Sequence, residues 1–136
     1  LEAGTLALET IGMLCSSKEN ELRESPRSSL IRDVQTVIAA ELAGKLDAGS
    51  LAKRFRISRE HLSRIFREQT GSTLHDYITR ARLRTAVDLL LQTRMTAKEI
   101  AGSCGYAEYS VLYRLFRQRL GVSPDELRNS GFRPDI

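Results

Sequence analysis

Arginine gives this 136-residue chain its most informative chemistry, because arginines are concentrated in one segment. Residues 53–84 contain nine basic and three acidic residues, whereas residues 1–47 contain five basic and eight acidic ones. Eight of those nine basic residues are Arg, whose planar guanidinium can hold a phosphate or a guanine edge through two hydrogen bonds. The segment therefore favours an anionic partner such as a nucleic acid, and the alternative is a solvated helix face.

A repeat at an offset of 50 residues places arginine twice in the same setting. Residues 62–71 read LSRIFREQTG and residues 112–121 read LYRLFRQRLG, with five identical positions in ten. Leu and Phe at helical spacing would face the core, which leaves the arginines on the opposite face. Each copy follows a short segment with a small residue, Ala52 or Ala101. This pattern predicts a short helix, a turn and a second helix, which is a helix-turn-helix.

The elements that must position these arginines are all predicted to be helices. Apolar residues from Leu30 to Leu42 recur at steps of three and four, as on one buried helix face. Helix-capping residues then precede five more apolar segments, at Asp47, Ser58, Thr73, Thr96 and Ser123. The helix from Thr73 to about Gln92 would be a rod of roughly 28 Å. We predict an all-α fold of about seven helices, with two helix-turn-helix subdomains joined by a long linker helix.

The first 29 residues differ in composition from the rest. Residues 5–15 form a short apolar patch, and residues 16–29 are polar and charged with one Pro, which is typical of a linker. The chain begins at Leu1 rather than Met, and we interpret it as a fragment. We expect a tail and linker over 1–27, a first subdomain over 28–72, the linker helix over 73–93 and a second subdomain over 94–136.

Several function classes are disfavoured. Cys15 and Cys104 stand 89 residues apart, and His61 and His75 are the only histidines, so neither a disulfide framework nor a zinc site is expected. The chain has no phosphate-cradling glycine loop, no HExxH and no nucleophile elbow, which argues against an enzyme. No apolar run is long enough to span a bilayer, and no signal peptide is recognisable. We expect a cytoplasmic protein without a metal or cofactor.

Residues 30–130 resemble the DNA-binding domain of the AraC/XylS family of bacterial transcription regulators. The resemblance is carried by EIAGSCGYAEYSVLYRLFRQRLGVSPDELR (Glu99–Arg128), by ISREHLSRIFREQTG and by DYITRARLRTAVDLLL. It implies seven helices, two recognition helices, sequence-specific binding to double-stranded promoter DNA and, commonly, activation through contact with RNA polymerase. It also implies an upstream domain that binds a small-molecule effector or dimerises, of which residues 1–27 would be the end.

The resemblance also implies which residues contact DNA. In the first recognition helix the base-reading positions fall on Glu60, Ser63 and Arg64, with Arg59 and Arg67 on phosphates. In the second helix the matching positions are Tyr109, Ser110, Tyr113 and Arg114, with Arg117 behind them. Three alternatives stay open: Glu60 could serve the helix dipole, Arg64 could form a surface ion pair, and one tyrosine could pack on the linker helix.

Other residues have expected roles outside base reading. Arg82 is expected to form an intramolecular bond, as its family position suggests, and Arg80 and Arg84 are expected to be solvated. We expect His61 on the flank of the first recognition helix, reaching a phosphate or nothing, His75 at the surface and Cys104 in the core. Backbone amides at 72–74 and 122–125 could bind phosphates. The alternative functions are a helical protein-interaction module and a sequence-nonspecific nucleic-acid binder.

Overall fold

The computed structural model describes residues 25–136, and helices account for most of that range. The helices are α1 (Pro26–Ala40), α2 (Ala48–Arg54), α3 (Arg59–Thr70), α4 (Leu74–Gln92), α5 (Ala97–Ser103), α6 (Tyr109–Leu120) and α7 (Pro124–Ser130). These are seven helices, and the described range contains no strand. The predicted all-α fold is therefore confirmed. The apolar patch at 5–15 lies outside the described residues.

Local capping determines where most of the helices begin, as the sequence predicts. The side chains of Asp47, Ser58 and Thr73 each accept a hydrogen bond from the backbone N–H three residues later. Thr96 and Ser123 form complete capping boxes, in which the side chains of Glu99 and Glu126 accept a hydrogen bond from the backbone N–H of the cap residue. Those backbone N–H donors lower the pKa of Glu99 and of Glu126. Five predicted helix starts are thus confirmed.

Helix α1 begins earlier than the composition suggested. Ser25 caps it, Pro26 occupies its first turn, and Ser28 donates a hydrogen bond to Gln69 of α3 over 2.9 Å. The interpretation of residues 16–29 as linker is therefore wrong for 26–29. Ser followed by Pro is a helix-start signal, and it was hidden by the polar composition of its neighbours.

Two hydrophobic cores lie along α4, one for each helix-turn-helix unit. The first packs α1, α2 and α3 against the beginning of α4, where Leu74 and Ile78 are buried. The second packs α5, α6 and α7 against the later part of α4, from Leu83 to Leu90. Since one uninterrupted helix contributes to both cores, bending α4 would disturb both units.

The two units also touch each other directly, at a contact that we call the junction: Leu42, Gly44, Arg82, Gly105 and Tyr106. Arg82 donates hydrogen bonds from Nε to the Leu42 carbonyl (3.1 Å) and from Nη2 to the Gly44 carbonyl (2.9 Å). Its guanidinium carbon lies 5.3 Å from the centre of the Tyr106 ring, within cation–π range. The predicted intramolecular bond of Arg82 is confirmed.

Gly105 allows this close approach. Its φ is +91°, and a β-carbon there would lie 2.6 Å from the Leu42 carbonyl oxygen and 3.0 Å from Arg82 Nη2. Any other residue would therefore be strained and would also separate the units.

We expect Gly105→Ala to lower the free energy of unfolding by at least about 2 kcal/mol, through backbone strain and overpacking together. Gly121→Ala is the matched control, because Gly121 has a φ of +76° with nothing within 4 Å of the added carbon. The control should cost about 1 kcal/mol. Urea unfolding measures both losses, and equal losses would show that the junction contact contributes nothing.

Candidate nucleic-acid interface

The second helices of the two units, α3 and α6, have the same design. Each is 12 residues long and ends at a left-handed glycine, Gly71 or Gly121. Each buries one side: Leu62, Ile65 and Phe66 in α3, and Leu112 and Phe116 in α6. The opposite side of each helix faces away from its core and is available to a partner.

All ten sequence-predicted contact residues lie on those outward sides. At 100° per residue, each set of five spans an arc of about 140°. The α3 face consists of Arg59, Glu60, Ser63, Arg64 and Arg67, and the α6 face consists of Tyr109, Ser110, Tyr113, Arg114 and Arg117. Tyr109 is half-buried and the other nine are exposed. The structure therefore assembles two contiguous faces, one on each unit.

Arg59 and Arg67 of the α3 face have weak carboxylate partners or none within residues 25–136. Arg59 lies 3.7 Å from Glu60 Oε2, with both side chains well exposed, and such a pair adds little to stability. Within residues 25–136, Arg67 has no carboxylate partner. Glu60 lies in the first turn of α3, so its helix-dipole interpretation stays open beside the base-reading one.

His61 contacts a residue of this face. Its Nδ1 lies 2.9 Å from Nη2 of Arg64, a predicted base-reading residue, and its contact with a phosphate stays a prediction. Because Arg can only donate, Nδ1 accepts the hydrogen bond. The contact orients the Arg64 guanidinium without neutralising its charge.

The arginines near the end of α6 are paired with carboxylates from other elements. Arg117 Nη1 lies 2.9 Å from Glu126 of α7, and Arg119 Nη1 lies 2.7 Å from Asp76 of α4. Arg114 has no such partner in the described range and lines a cleft between the two units with His75. Within residues 25–136, Arg114 is therefore the one arginine of the α6 face that has no carboxylate partner.

Two tyrosines distinguish the α6 face from the α3 face. Tyr109 and Tyr113 contact each other edge to face, with ring centres 6.0 Å apart and planes at 66°. Tyr113 keeps 42% of its surface exposed. Desolvation, followed by the nearby Asp125, raises the pKa of Tyr109, so its phenol stays protonated at neutral pH. The observed ring contact of this pair lies within α6 rather than with the linker helix.

The turns before α3 and α6 differ in a way that the repeat concealed. Corresponding residues are 49 apart before the turn, as with Asp47 and Thr96, and 50 apart after it. The second turn therefore has one extra residue. Glu108, the N-cap residue of α6, forms no side-chain capping hydrogen bond, whereas Ser58 caps α3. Arg56 takes a φ of +61° in the first turn, where the second has Gly105.

The linker arginines correct an expectation. Arg80 Nε lies 3.2 Å from Asp76 Oδ2, although it is not aligned for a hydrogen bond, and Arg84 donates to the backbone carbonyl of Ile136 over 3.1 Å. Both side chains therefore contact other groups of the protein, and the expectation that they are simply solvated is wrong. Asp76 thus receives two arginines, one from α4 and one from α6. The Arg119–Asp76 and Arg84–Ile136 contacts join residues far apart in the chain, which local pattern does not reveal, whereas Arg80 and Asp76 are only four residues apart.

The remaining residues with reactive side chains, Cys104 and His75, lie where the sequence predicts. Cys104 is fully buried, as predicted, and burial raises its pKa to about 11. His75 is exposed, also as predicted. In the part of the chain that the structure describes, no group of three or more His, Cys, Asp or Glu could hold a metal. None of the helices there is sufficiently long and apolar to span a membrane.

Solved structures of DNA-binding proteins have this arrangement of helices. The DNA-binding domain of AdpA, in complex with a target DNA, superposes with a TM-score of 0.70 at 31% identity, covering 74% of this chain and 90% of that one. A probable AraC family regulator from Rhodopseudomonas palustris gives a TM-score of 0.65 at 27% identity, covering 79% of this chain and all of that one.

A family model described as a helix-turn-helix domain matches residues 51–130, more than half of the chain. The chain belongs to the AraC/XylS family of transcription regulators. As an AraC-type DNA-binding domain, it is 26% identical over 108 residues to the Msm operon regulatory protein of Streptococcus mutans, which is 79% of this chain and 39% of that protein. Four curated relatives, this one included, are matched over only 32% to 39% of their own length.

We expect the Asp76–Arg119 pair to stabilise this AraC-type domain in a pH-dependent way. The hydrogen bond from Arg119, followed by the charges of Arg119 and Arg80, lowers the pKa of Asp76 from its ordinary 3.8. The stabilisation is therefore complete above pH 3.8 and is lost as the pH falls through the lower, folded-state pKa. Because Asp76 is partly exposed, Asp76→Asn should cost about 0.5–1 kcal/mol at neutral pH, and less in acid.

Urea unfolding of Asp76→Asn, Arg119→Gln and the double variant tests this pair. The double-variant cycle should show coupling at pH 7 that disappears in acid. Additive losses at neutral pH would contradict the pairing.

Proposed function

We propose that this chain binds double-stranded promoter DNA sequence-specifically, with α3 and α6 as recognition helices in successive major-groove segments. The observation that supports this proposal is the repeated outward face. Arg64 and Arg67 on α3 correspond to Arg114 and Arg117 on α6, while the Leu and Phe residues behind them are buried. A helix anchored on one side with arginines on the other fits a major groove.

The length of the linker helix α4 is compatible with simultaneous binding by both units. Helix α4 has 19 residues, which corresponds to a length of about 28 Å. Successive major-groove faces on one side of the duplex are about 34–36 Å apart. The junction holds both units to α4 as one body. The likeness to the AdpA domain, a structure determined with target DNA, favours the same use of these helices.

The residues of the two faces divide into base contacts and phosphate contacts. Arg64 and Arg114 would each grip guanine O6 and N7, and Glu60 would accept from cytosine N4. Ser63 and Ser110 would form hydrogen bonds with either donor or acceptor groups on base edges. The remaining arginines of the faces, Arg59, Arg67 and Arg117, would bind phosphates, which set position rather than sequence.

The whole protein would be a cytoplasmic regulator, most simply an activator that contacts RNA polymerase. The chain covers about a third to two fifths of several curated relatives. In this proposal a segment preceding residue 28 supplies the response to a small-molecule effector or the dimer contact. Neither helical protein binding nor nonspecific nucleic-acid binding explains why arginines stand at matched outward positions of the two helices.

Base preference tests the proposed recognition residues. We expect Arg64→Ala and Arg114→Ala each to relax preference at one position of a site selected from random duplexes, by about 1–3 kcal/mol per cognate contact. Binding measured on all four single-base variants of each position gives the result. An unchanged preference in both variants would contradict base reading. A chain that selects no sequence would favour the nonspecific alternative, and one that binds no duplex would favour protein interaction.

Salt dependence tests the phosphate contacts. The logarithm of affinity should fall steeply with the logarithm of salt concentration, because several phosphates lose counterions. Arg67→Gln should make the slope shallower by about one, whereas Arg133→Gln, the control, should leave it unchanged. Arg133 pairs with Asp88 of α4 and lies outside both faces. A slope that Arg67→Gln does not alter would remove Arg67 from the phosphate contacts.

A further inference from the structure

The α3 and α6 faces occupy the same positions on the repeat but carry different chemistry. Where α3 has Arg59 and Ser63, α6 has Tyr109 and Tyr113. The α6 face thus replaces one cation and one small hydroxyl with two aromatic rings. This difference matters because the two helices share scaffold, length and orientation of their buried sides.

The cations of α6 are also more fully engaged by the protein. Arg117 and Arg119 form ion pairs with Glu126 and Asp76 at 2.9 and 2.7 Å. On the α3 face, both Arg64 and Arg67 are without a carboxylate partner in residues 25–136. Attraction to phosphates should therefore be stronger on α3, and α6 needs another source of affinity and discrimination.

The tyrosine pair provides an apolar surface of fixed shape. The two rings lie one helical turn apart and contact each other edge to face at 6.0 Å, so each restricts the other's rotation. Tyr113 keeps 42% of its surface exposed, and Tyr109 is half-buried. In the major groove the prominent apolar group on a base edge is the 5-methyl of thymine.

We propose that Tyr109 and Tyr113 make α6 a reader of thymine 5-methyl groups, so that the half-site under α6 is specified by thymines. This inference rests on the proposed function, because it names what one of the two recognition helices reads. The competing role is a hydrogen bond from a phenol to a phosphate, which would carry no information about thymine.

Deoxyuridine distinguishes these roles, since it lacks only the methyl group and keeps the O4 acceptor. A site is first selected from random duplexes with the 136-residue chain, and each thymine is then replaced singly by deoxyuridine. At thymines under α6 we expect about fourfold weaker binding per methyl contacted. In Tyr113→Ala or Tyr109→Ala, the effect at those same positions should disappear.

Two further variants sharpen the interpretation. Tyr113→Phe keeps the ring and should retain the deoxyuridine effect, whereas a phosphate-bonding tyrosine would lose affinity and show none. Arg133→Gln, which lies outside both faces, should leave every deoxyuridine effect as it is in the wild type. Thermal unfolding followed by circular dichroism establishes that each variant is folded.

The outcomes separate this inference from the proposed function. Sequence-selective binding that tolerates deoxyuridine everywhere would overturn thymine reading and leave DNA recognition intact. Deoxyuridine effects that persist in both tyrosine-to-alanine variants would also overturn it. A chain that selects no sequence at all would overturn the proposed function first.

Discussion

The bond from Arg82 to the Leu42 and Gly44 carbonyls is the interaction on which the arrangement of the two units depends. Those carbonyls follow the end of α1, where no intrahelical donor remains. A side chain from the middle of α4 satisfies them and at the same time lies against Tyr106 of the second unit. The Arg82 guanidinium thus bonds to the carbonyls that follow α1, links α4 to the first unit and contacts Tyr106 of the second unit.

Much of the fold could be predicted from the sequence because its signals are local. Caps such as Asp47 and Ser123 act within three residues, and the buried Leu and Phe of α3 follow a helical period. The partners of the arginines could not be predicted, because Asp76 and Arg119 are 43 residues apart and Arg84 reaches a carbonyl 52 residues away. Only the folded chain brings such groups together.

The two copies of the helix-turn-helix scaffold carry outward residues of different chemistry. Burial of the Leu and Phe residues is the same in both copies, so stability does not constrain the outward residues. On α3 those residues are largely cationic, whereas on α6 aromatic rings replace part of the charge and carboxylates from α4 and α7 hold two arginines. The outward residues of each copy are therefore free to change independently of the core.

The extra residue in the second turn has a consequence for exchanging parts between the copies. A chimera that moved the first turn and α3 into the second unit, residue for residue, would shorten the connection by one residue. It would also put Arg56 in place of Gly105, against the Leu42 carbonyl. Recognition helices are therefore interchangeable between the units only when exchanged from their first residue onward, with each turn left in its own unit.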